Sequence, residues 1–310
     1  MKYLITGGAG FIGSHLAEKL SPNHEVVILD DFSSGSEQNL RWAERKRNVS
    51  LVTGSVTDAS LVCSCAAGCD GIFHQAAIAS VPASVRDPVG THEVNCTGTV
   101  QVLEAARKTG TKSVVMASSA AVYGDAPALP KTESMVPEPK SPYAIHKCTG
   151  EYYGQVYASL YGLKTVSLRY FNVYGPRQNP SSPYSGVISR FASDALQGTP
   201  LTIFGDGTQT RDFVYVADVV NANIRAMESD AQGVFNIGTG LETDLLTLGE
   251  MIQSCTGNSP AVTFEPAREG DIHRSCADIA KAESAFGFVP EYSLQKGLEE
   301  TLMWIKEDSV

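Results

Sequence analysis

The chain has 310 residues, of which 43% are hydrophobic and 19% charged, and its formal net charge is -10. Such a length predicts one large α/β domain with a second, smaller lobe, and a composition this ordinary, without low-complexity tracts, excludes a disordered chain. The acidic balance lacks the basic footprint of a nucleic-acid binder, no apolar run is long enough to cross a bilayer, and a first strand starting at Lys2 leaves no room for a signal peptide, so a cytoplasmic protein with neither membrane nor nucleic acid as partner is expected.

The apolar run Tyr3 to Thr6 predicts a strand, followed at once by Gly7-Gly8-Ala9-Gly10-Phe11-Ile12-Gly13 and a helical pattern from His15 to Leu20. In that arrangement Gly7 permits a tight strand-to-helix turn, Gly10 lets backbone approach a pyrophosphate, and Gly13 allows close helix-sheet packing. Phe11 and Ile12 open the helix, whose N-terminus supplies an anion site. The next strand, Glu25 to Leu29, ends at Asp30, whose carboxylate suits the two ribose hydroxyls of adenosine. Asp30 and Asp31 together repel a 2′-phosphate and no arginine directly follows, which favours NAD over NADP, although Asp31 fits a solvated loop equally well.

Ser50 to Thr53, Gly71 to His74, Ser113 to Ala117 and Thr165 to Tyr170 continue the strands, with helical patterns between most of them. Alternation of this kind predicts a Rossmann-type, doubly wound parallel sheet. Seven cysteines in a chain without an export signal are expected to be reduced, and the spacing of Cys63, Cys65 and Cys69 fits no common zinc pattern, so no metal is expected. Past Gly175 the order changes. Pro176, Pro180 and Pro183 punctuate a loop, a helix runs from about Gly186 to Leu196, and Asp206-Gly207 predicts a hairpin between Leu201 to Phe204 and Thr210 to Val214. Shorter elements continue to Trp304. Residues 1–175 are thus expected to form an NAD-binding Rossmann domain, 213–239 to rejoin it, and 176–310 to form a smaller C-terminal α/β substrate lobe.

Ser141-Pro142-Tyr143-Ala144-Ile145-His146-Lys147 starts a helix, which puts Tyr143 and Lys147 on one face a turn apart. A neighbouring ammonium and the positive nicotinamide ring of NAD are expected to lower the phenol toward the working range, so that a tyrosinate takes a proton from a sugar hydroxyl. Ser119, at the end of the strand from Ser113, is placed to share a hydrogen bond with the reacting oxygen. Each item alone is weak, because a serine at a strand end is more often a cap; their order behind a glycine fingerprint carries the inference.

With these motifs the chain resembles the extended short-chain dehydrogenase/reductases, and in particular the UDP-hexose 4-epimerases, over nearly its whole length. The matching residues are Gly7 to Gly13, Asp30 with Ser33-Ser34-Gly35, His74-Gln75-Ala76-Ala77, Asn95, Ser119, Tyr143 with Lys147, and Leu168-Arg169-Tyr170-Phe171-Asn172. The resemblance implies Ser119, Tyr143 and Lys147 as catalytic residues and adds Val56 and Val173 to the cofactor site. One departure is Ser55, where the family usually has an aspartate for the adenine amino group; a serine accepts that bond less strongly. Arg211-Asp212-Phe213 and Arg268-Glu269-Gly270-Asp271 match segments that hold the UDP moiety in the family, and arginine forks suit a pyrophosphate. Gly186, Val187, Arg190, Thr202 and Phe204 are expected on the same nucleotide-sugar side, and Ser80, Ser84 and Asn172 near the sugar.

The implied reaction has Tyr143 removing the 4-hydroxyl proton, hydride passing to NAD, the 4-keto sugar turning over, and hydride returning to the opposite face, without net redox. Related 4,6-dehydratases carry an Asp-Glu pair where this chain has Ala120 and Ala121. Epimerases of uronic acids, decarboxylases and reductases share the core and stay open as alternatives, as does a non-catalytic NAD-binding sensor, against which the intact Ser119, Tyr143 and Lys147 stand. In the family the residue matching Ser275 walls the hexose pocket: tyrosine confines it to UDP-glucose and UDP-galactose, whereas a small residue admits a 2-acetamido group. Ser275 therefore implies UDP-N-acetylglucosamine and UDP-N-acetylgalactosamine as substrates, with UDP-glucose and UDP-galactose also accepted. The helices around His92 to Lys108 and Tyr143 to Tyr161 match those that pair in the family's dimers, so a homodimer is implied.

Overall fold

A computed structural model describes residues 1–179, 186–267 and 272–308. At its centre lie β1 (Lys2–Thr6), β2 (Glu25–Asp30), β3 (Val49–Thr53), β4 (Gly71–His74), β5 (Ser113–Ser119) and β6 (Lys164–Tyr170), joined by a seventh strand, Gly233–Ile237. The sheet order is Gly233–Ile237, β6, β5, β4, β1, β2, β3, and every pairing is parallel. This is the expected doubly wound, Rossmann-type sheet.

Alternate residues of β1 explain why both faces are covered. Tyr3 and Ile5 pack with Leu16, Ala17, Val219 and Phe286, from the helices Phe11–Leu20, Val216–Glu228 and Ala280–Phe286. Leu4 faces the other way, into a core with Val62, Leu103, Ala106 and Tyr157, from the helices Ala59–Ala66, Gly98–Thr109 and Pro142–Tyr161. Cys65 and Cys69 lie in that second core, where burial pushes both thiols up, Cys69 to about 11; the Cys63, Cys65, Cys69 group is an apolar helix and its end.

The Pro142–Tyr161 helix is fastened at both ends and in its middle. Ser141 Oγ accepts the Ala144 N–H at 3.2 Å, Pro142 occupies the first turn, and Gly162 at φ +67° ends the helix. Midway, Glu151 takes a bidentate pair of bonds from buried Arg169 on β6, at 2.8 and 2.7 Å, and a third from Ser118 on β5 at 2.5 Å.

In the second lobe, Ile188 and Phe191 of the helix Val187–Gln197 pack with Leu201, Ile203, Leu248, Ile252 and Leu298. The expected hairpin is absent. Leu201–Phe204 pairs in parallel with Val262–Glu265, Thr210–Arg211 pairs with Thr243–Asp244, and Phe213–Tyr215 pairs in parallel with Asn172–Tyr174. Gly205 and Gly207 do turn the chain, at φ +88° and +84°, but Gln209 Nε2 donates to the Phe204 carbonyl at 2.6 Å and closes a loop with a side chain instead of a ladder. Of 213–239, the strand Gly233–Ile237 joins the large sheet, while Val216–Glu228 covers one face of it. Pro180 and Pro183 lie outside the described residues. No helix among the described residues is long and apolar enough to cross a membrane.

Candidate active site

The strand order reverses between β1 and β4, so the loops leaving their carboxyl ends diverge and open a crevice there. Gly7 sits at the turn with φ +68°, and a Cβ on it would lie 2.6 Å from the Ala76 nitrogen, so the loop after β1 abuts the loop after β4. A Cβ on Gly13 would collide with the Gly7 carbonyl oxygen, which is the close helix-strand packing the fingerprint implied. Gly10 precedes the Phe11–Leu20 helix and no side chain caps it, so the first amides, around Phe11 and Ile12, keep their N–H groups for an anion. These features fit the pyrophosphate of a dinucleotide.

Asp30 is buried at the end of β2. Its Oδ2 accepts the Ala9 N–H and its Oδ1 the Phe32 N–H, each at 2.8 Å, which fixes the carboxylate toward the glycine turn. Burial raises its pKa and those backbone bonds oppose the rise. Asp31 is exposed and accepts the Ser33 N–H at 2.9 Å; Ser33 and Ser34 are exposed, and Gly35 is so close that a Cβ would lie 2.9 Å from Asp30 Oδ1. Ser55 Oγ accepts the Thr57 N–H at 3.3 Å and the Thr57 hydroxyl at 2.9 Å, while Val56 is buried beside it. Asn95 binds Ile78 at both ends, accepting its N–H at 2.8 Å and donating to its carbonyl at 3.1 Å, so it holds the loop that carries Gln75, Ala76 and Ala77. Asn223 donates to the Tyr170 hydroxyl at 2.8 Å and accepts from Gln75 at 3.0 Å. Sequence reasoning missed Asn223, because an asparagine inside an amphipathic helix carries no motif; Val173, near these groups in sequence, is half-buried.

Ser119 ends β5, Tyr143 lies in the first turn of the Pro142–Tyr161 helix, and Lys147 follows one turn later. The Ser119 hydroxyl accepts the Ala121 N–H at 3.2 Å, and the Lys147 Nζ lies 5.8 Å from the Tyr143 ring centre while donating to the Ala117 carbonyl at 2.8 Å. Burial raises the Tyr143 phenol above its ordinary value and the nearby Ser119 hydroxyl opposes this. Among the chain's own groups burial is the larger influence, whereas the expected lowering depends also on the positive nicotinamide ring of the cofactor. Burial also pulls Lys147 down to about 8, against the upward pull of Cys96 and Glu151. His74, bonded to Thr6 at 2.7 Å and Thr99 at 2.9 Å, is held neutral by burial with a pKa of about 3.

On the side of the expected substrate, Ser84 accepts the Tyr143 N–H at 3.0 Å and thereby holds the start of the catalytic helix. Ser80 caps its own helix through the Ala83 N–H at 3.0 Å. Asn172 is exposed at the start of its short strand, and Gly186 and Val187 open the next helix, whose Arg190 stacks over Phe204 at 5.5 Å. Thr202 lies 3.3 Å from Thr263, hydroxyl to hydroxyl. Arg211 donates to the Thr210 carbonyl at 2.8 Å. Buried Asp212 accepts from the Thr239 and Gly240 amides at 2.7 and 2.9 Å and from Ala277 at 3.0 Å, which fixes the strip bearing buried Ser275. Arg268 and Asp271 lie outside the described residues.

A family model described as the NAD dependent epimerase/dehydratase family matches residues 3–238. The chain is 42% identical, over 100% of both sequences, to a UDP-glucose 4-epimerase of Mycolicibacterium smegmatis. Among solved structures it is similar to a UDP-N-acetylglucosamine 4-epimerase from Methanobrevibacter ruminantium in complex with UDP-N-acetylmuramic acid, with TM-score 0.96, 38% identity and 99% and 98% of the two chains covered. It is also similar to the Thermus thermophilus UDP-glucose 4-epimerase in complex with NAD, with TM-score 0.90, 38% identity and 99% of each chain covered.

The displaced Lys147 pKa has a thermodynamic signature. In the folded chain it loses its proton near pH 8, whereas unfolded it holds that proton to its ordinary value of 10.5. Between those values unfolding takes up a proton, so this group's contribution to stability rises with pH through that window and is lost again as pH falls toward 8. Urea unfolding of wild type beside Lys147→Met, at pH 7, 9 and 10.5, is expected to show wild type gaining on the variant by about 3 kcal/mol across the series. A difference that stays constant with pH would show that the lysine is not displaced.

Proposed function

The chain belongs to the NAD-dependent epimerase/dehydratase family, and on that premise we propose that it is an isomerase that inverts C4 of a UDP-sugar through a transient 4-keto sugar. The observation that carries this reading is the convergence of Ser119, Tyr143 and Lys147 at the carboxyl end of β5, where the Lys147 Nζ lies 5.8 Å from the Tyr143 ring centre. NAD, when bound, supplies reversible hydride acceptance at C4. Gly7, Gly10, Phe11, Ile12 and Gly13 would hold its pyrophosphate, Asp30 its ribose hydroxyls, and Ser55 with Val56 its adenine end. Tyr143 takes the 4-hydroxyl proton and gives it back after the sugar has turned, Ser119 orients the reacting oxygen, and Lys147 keeps positive potential on the phenol's side of the helix. Ala120 and Ala121 offer no acid-base pair for eliminating water, which tells against a dehydratase. Both UDP-glucose and UDP-N-acetylglucosamine epimerases among the similar proteins support the coarse activity.

For the sugar, we favour UDP-N-acetylglucosamine and its C4 epimer, with UDP-glucose also turned over. Ser275 is small, buried and fixed by the Asp212 network, so an acetamido group meets no ring there. We also assign a homodimer, because Ile145, Tyr152, Tyr153, Val156 and Leu160 are all exposed on the Pro142–Tyr161 helix, an apolar stripe a soluble monomer rarely shows. Sedimentation equilibrium is expected to give twice the chain mass, and a single-chain mass at micromolar protein would remove that assignment.

Replacing Tyr143 by Phe removes the proton acceptor and little volume, so turnover of either UDP-sugar is expected to fall by about two to four orders of magnitude with the fold intact. Near-normal turnover in the folded variant would end the epimerase reading as written. Ser275→Tyr tests the sugar: filling that space is expected to lower kcat/KM for UDP-N-acetylglucosamine by about ten- to a hundredfold while activity on UDP-glucose persists. Unchanged use of the N-acetylated sugar would show that Ser275 does not line the pocket.

A further inference from the structure

Behind the catalytic helix, two imidazoles and a thiol meet. His92 closes the helix Pro88–His92, Cys96 lies four residues on in the π-helical turn Glu93–Thr97, and His146 reaches them from the Pro142–Tyr161 helix. One ligand atom from each lies within 4.8 Å of the other two, and the His92 and His146 rings are 5.5 Å apart, edge to face. Cys96 and His146 are only 4% and 5% exposed, while His92 is open to solvent. His146 Nδ1 is buried without a hydrogen-bond partner among the described residues, a state that proteins rarely leave unexplained.

We propose that His92, Cys96 and His146 form a binding site for a borderline-soft divalent cation, of which Zn²⁺ is the type. Two imidazole nitrogens and one thiolate are a ligand set that zinc favours, and the sulfur disfavours Mg²⁺ and Ca²⁺. Around a tetrahedral zinc such atoms sit about 3.3–3.7 Å apart, so the three side chains need to close by about an ångström, within rotamer adjustment. A fourth position is left on the His92 side of the three ligands. Sequence reasoning, which expected no metal, compared spacings along the chain, whereas this set is assembled from two helices far apart in sequence. The ammonium of Lys147, one residue beyond His146, opposes a dication, which places the expected affinity in the micromolar range and not among the tightest closed sites. An ion here ties the segment bearing Asn95 to the helix bearing Tyr143, and its binding does not depend on which sugar is turned over.

Calorimetric titration of the metal-free full chain with ZnCl₂ is expected to show one ion per chain, and Co²⁺ in its place to give a thiolate-to-cobalt charge-transfer band. Cys96→Ser is expected to abolish the band and weaken Zn²⁺ by at least about tenfold, and His92→Ala, an exposed position that spares the fold, to weaken it similarly. Cys63→Ser, remote from the site, serves as the control that retains both signals. No Zn²⁺ binding up to millimolar metal, or wild-type affinity in either the Cys96 or the His92 variant, would overturn the site.

Discussion

The buried ion pair between Glu151 and Arg169 is the contact on which the site's geometry depends. Tyr143, Lys147 and Glu151 follow one another at four-residue intervals along a single face of the Pro142–Tyr161 helix. Glu151 is locked to Arg169 on β6 and to Ser118 on β5, so the helix can neither slide nor rotate against the strand end that presents Ser119. Burying two charges is costly, and such pairs often add little net stability; what the bidentate geometry supplies here is register. Arg169 feels both sides of that balance: burial pulls its pKa down, and the Glu151 carboxylate more than restores it. Its guanidinium also stacks over Tyr123 at 4.7 Å, whose hydroxyl donates to Asn236 at 2.6 Å on the neighbouring sheet strand. Arg169 on β6 thus joins the Pro142–Tyr161 helix to the turn bearing Tyr123.

Asp212 plays the corresponding part on the other side of the crevice. Its carboxylate lies fully buried with no cation bonded to it among the described residues, and backbone amides from the 239–240 loop and from Ala277 serve instead of a counter-ion. Burial raises its pKa and these donors work against the rise. The two carboxylates differ in what they join: Glu151 links helix to sheet within the cofactor domain, whereas Asp212 links the short strands of the second lobe to the strip bearing Ser275.

What was legible in the sequence was local. The glycine turn, Asp30 at its strand end and the Tyr143-Lys147 spacing are written in contiguous residues, and each needs only a few neighbours to take its conformation. The doubly wound sheet was legible for a related reason, since strands buried on both faces carry runs of apolar residues with no polar alternation. The hairpin at Asp206-Gly207 failed because a turn signal fixes a change of direction and leaves the pairing partners open; here Leu201–Phe204 found Val262–Glu265 instead. Asn223 and the partnership of Glu151 with Arg169 stayed hidden, because their meaning comes from side chains that meet only after the helices have packed.

The electrostatics of the crevice follow from the same burial. Desolvation drives an acid and a base to their neutral forms, so it raises the Tyr143 phenol and lowers the Lys147 ammonium together. Were the two to compensate each other directly, the ammonium would have to sit against the phenol oxygen; instead Lys147 donates to the Ala117 carbonyl at 2.8 Å. The chain's own groups therefore push the tyrosine toward its protonated form, and the positive ring of an oxidised cofactor would push the other way. In a family whose cofactor carries a positive ring in its oxidised form, these opposed influences would make the acidity of the Tyr143 phenol depend on whether the cofactor site is filled.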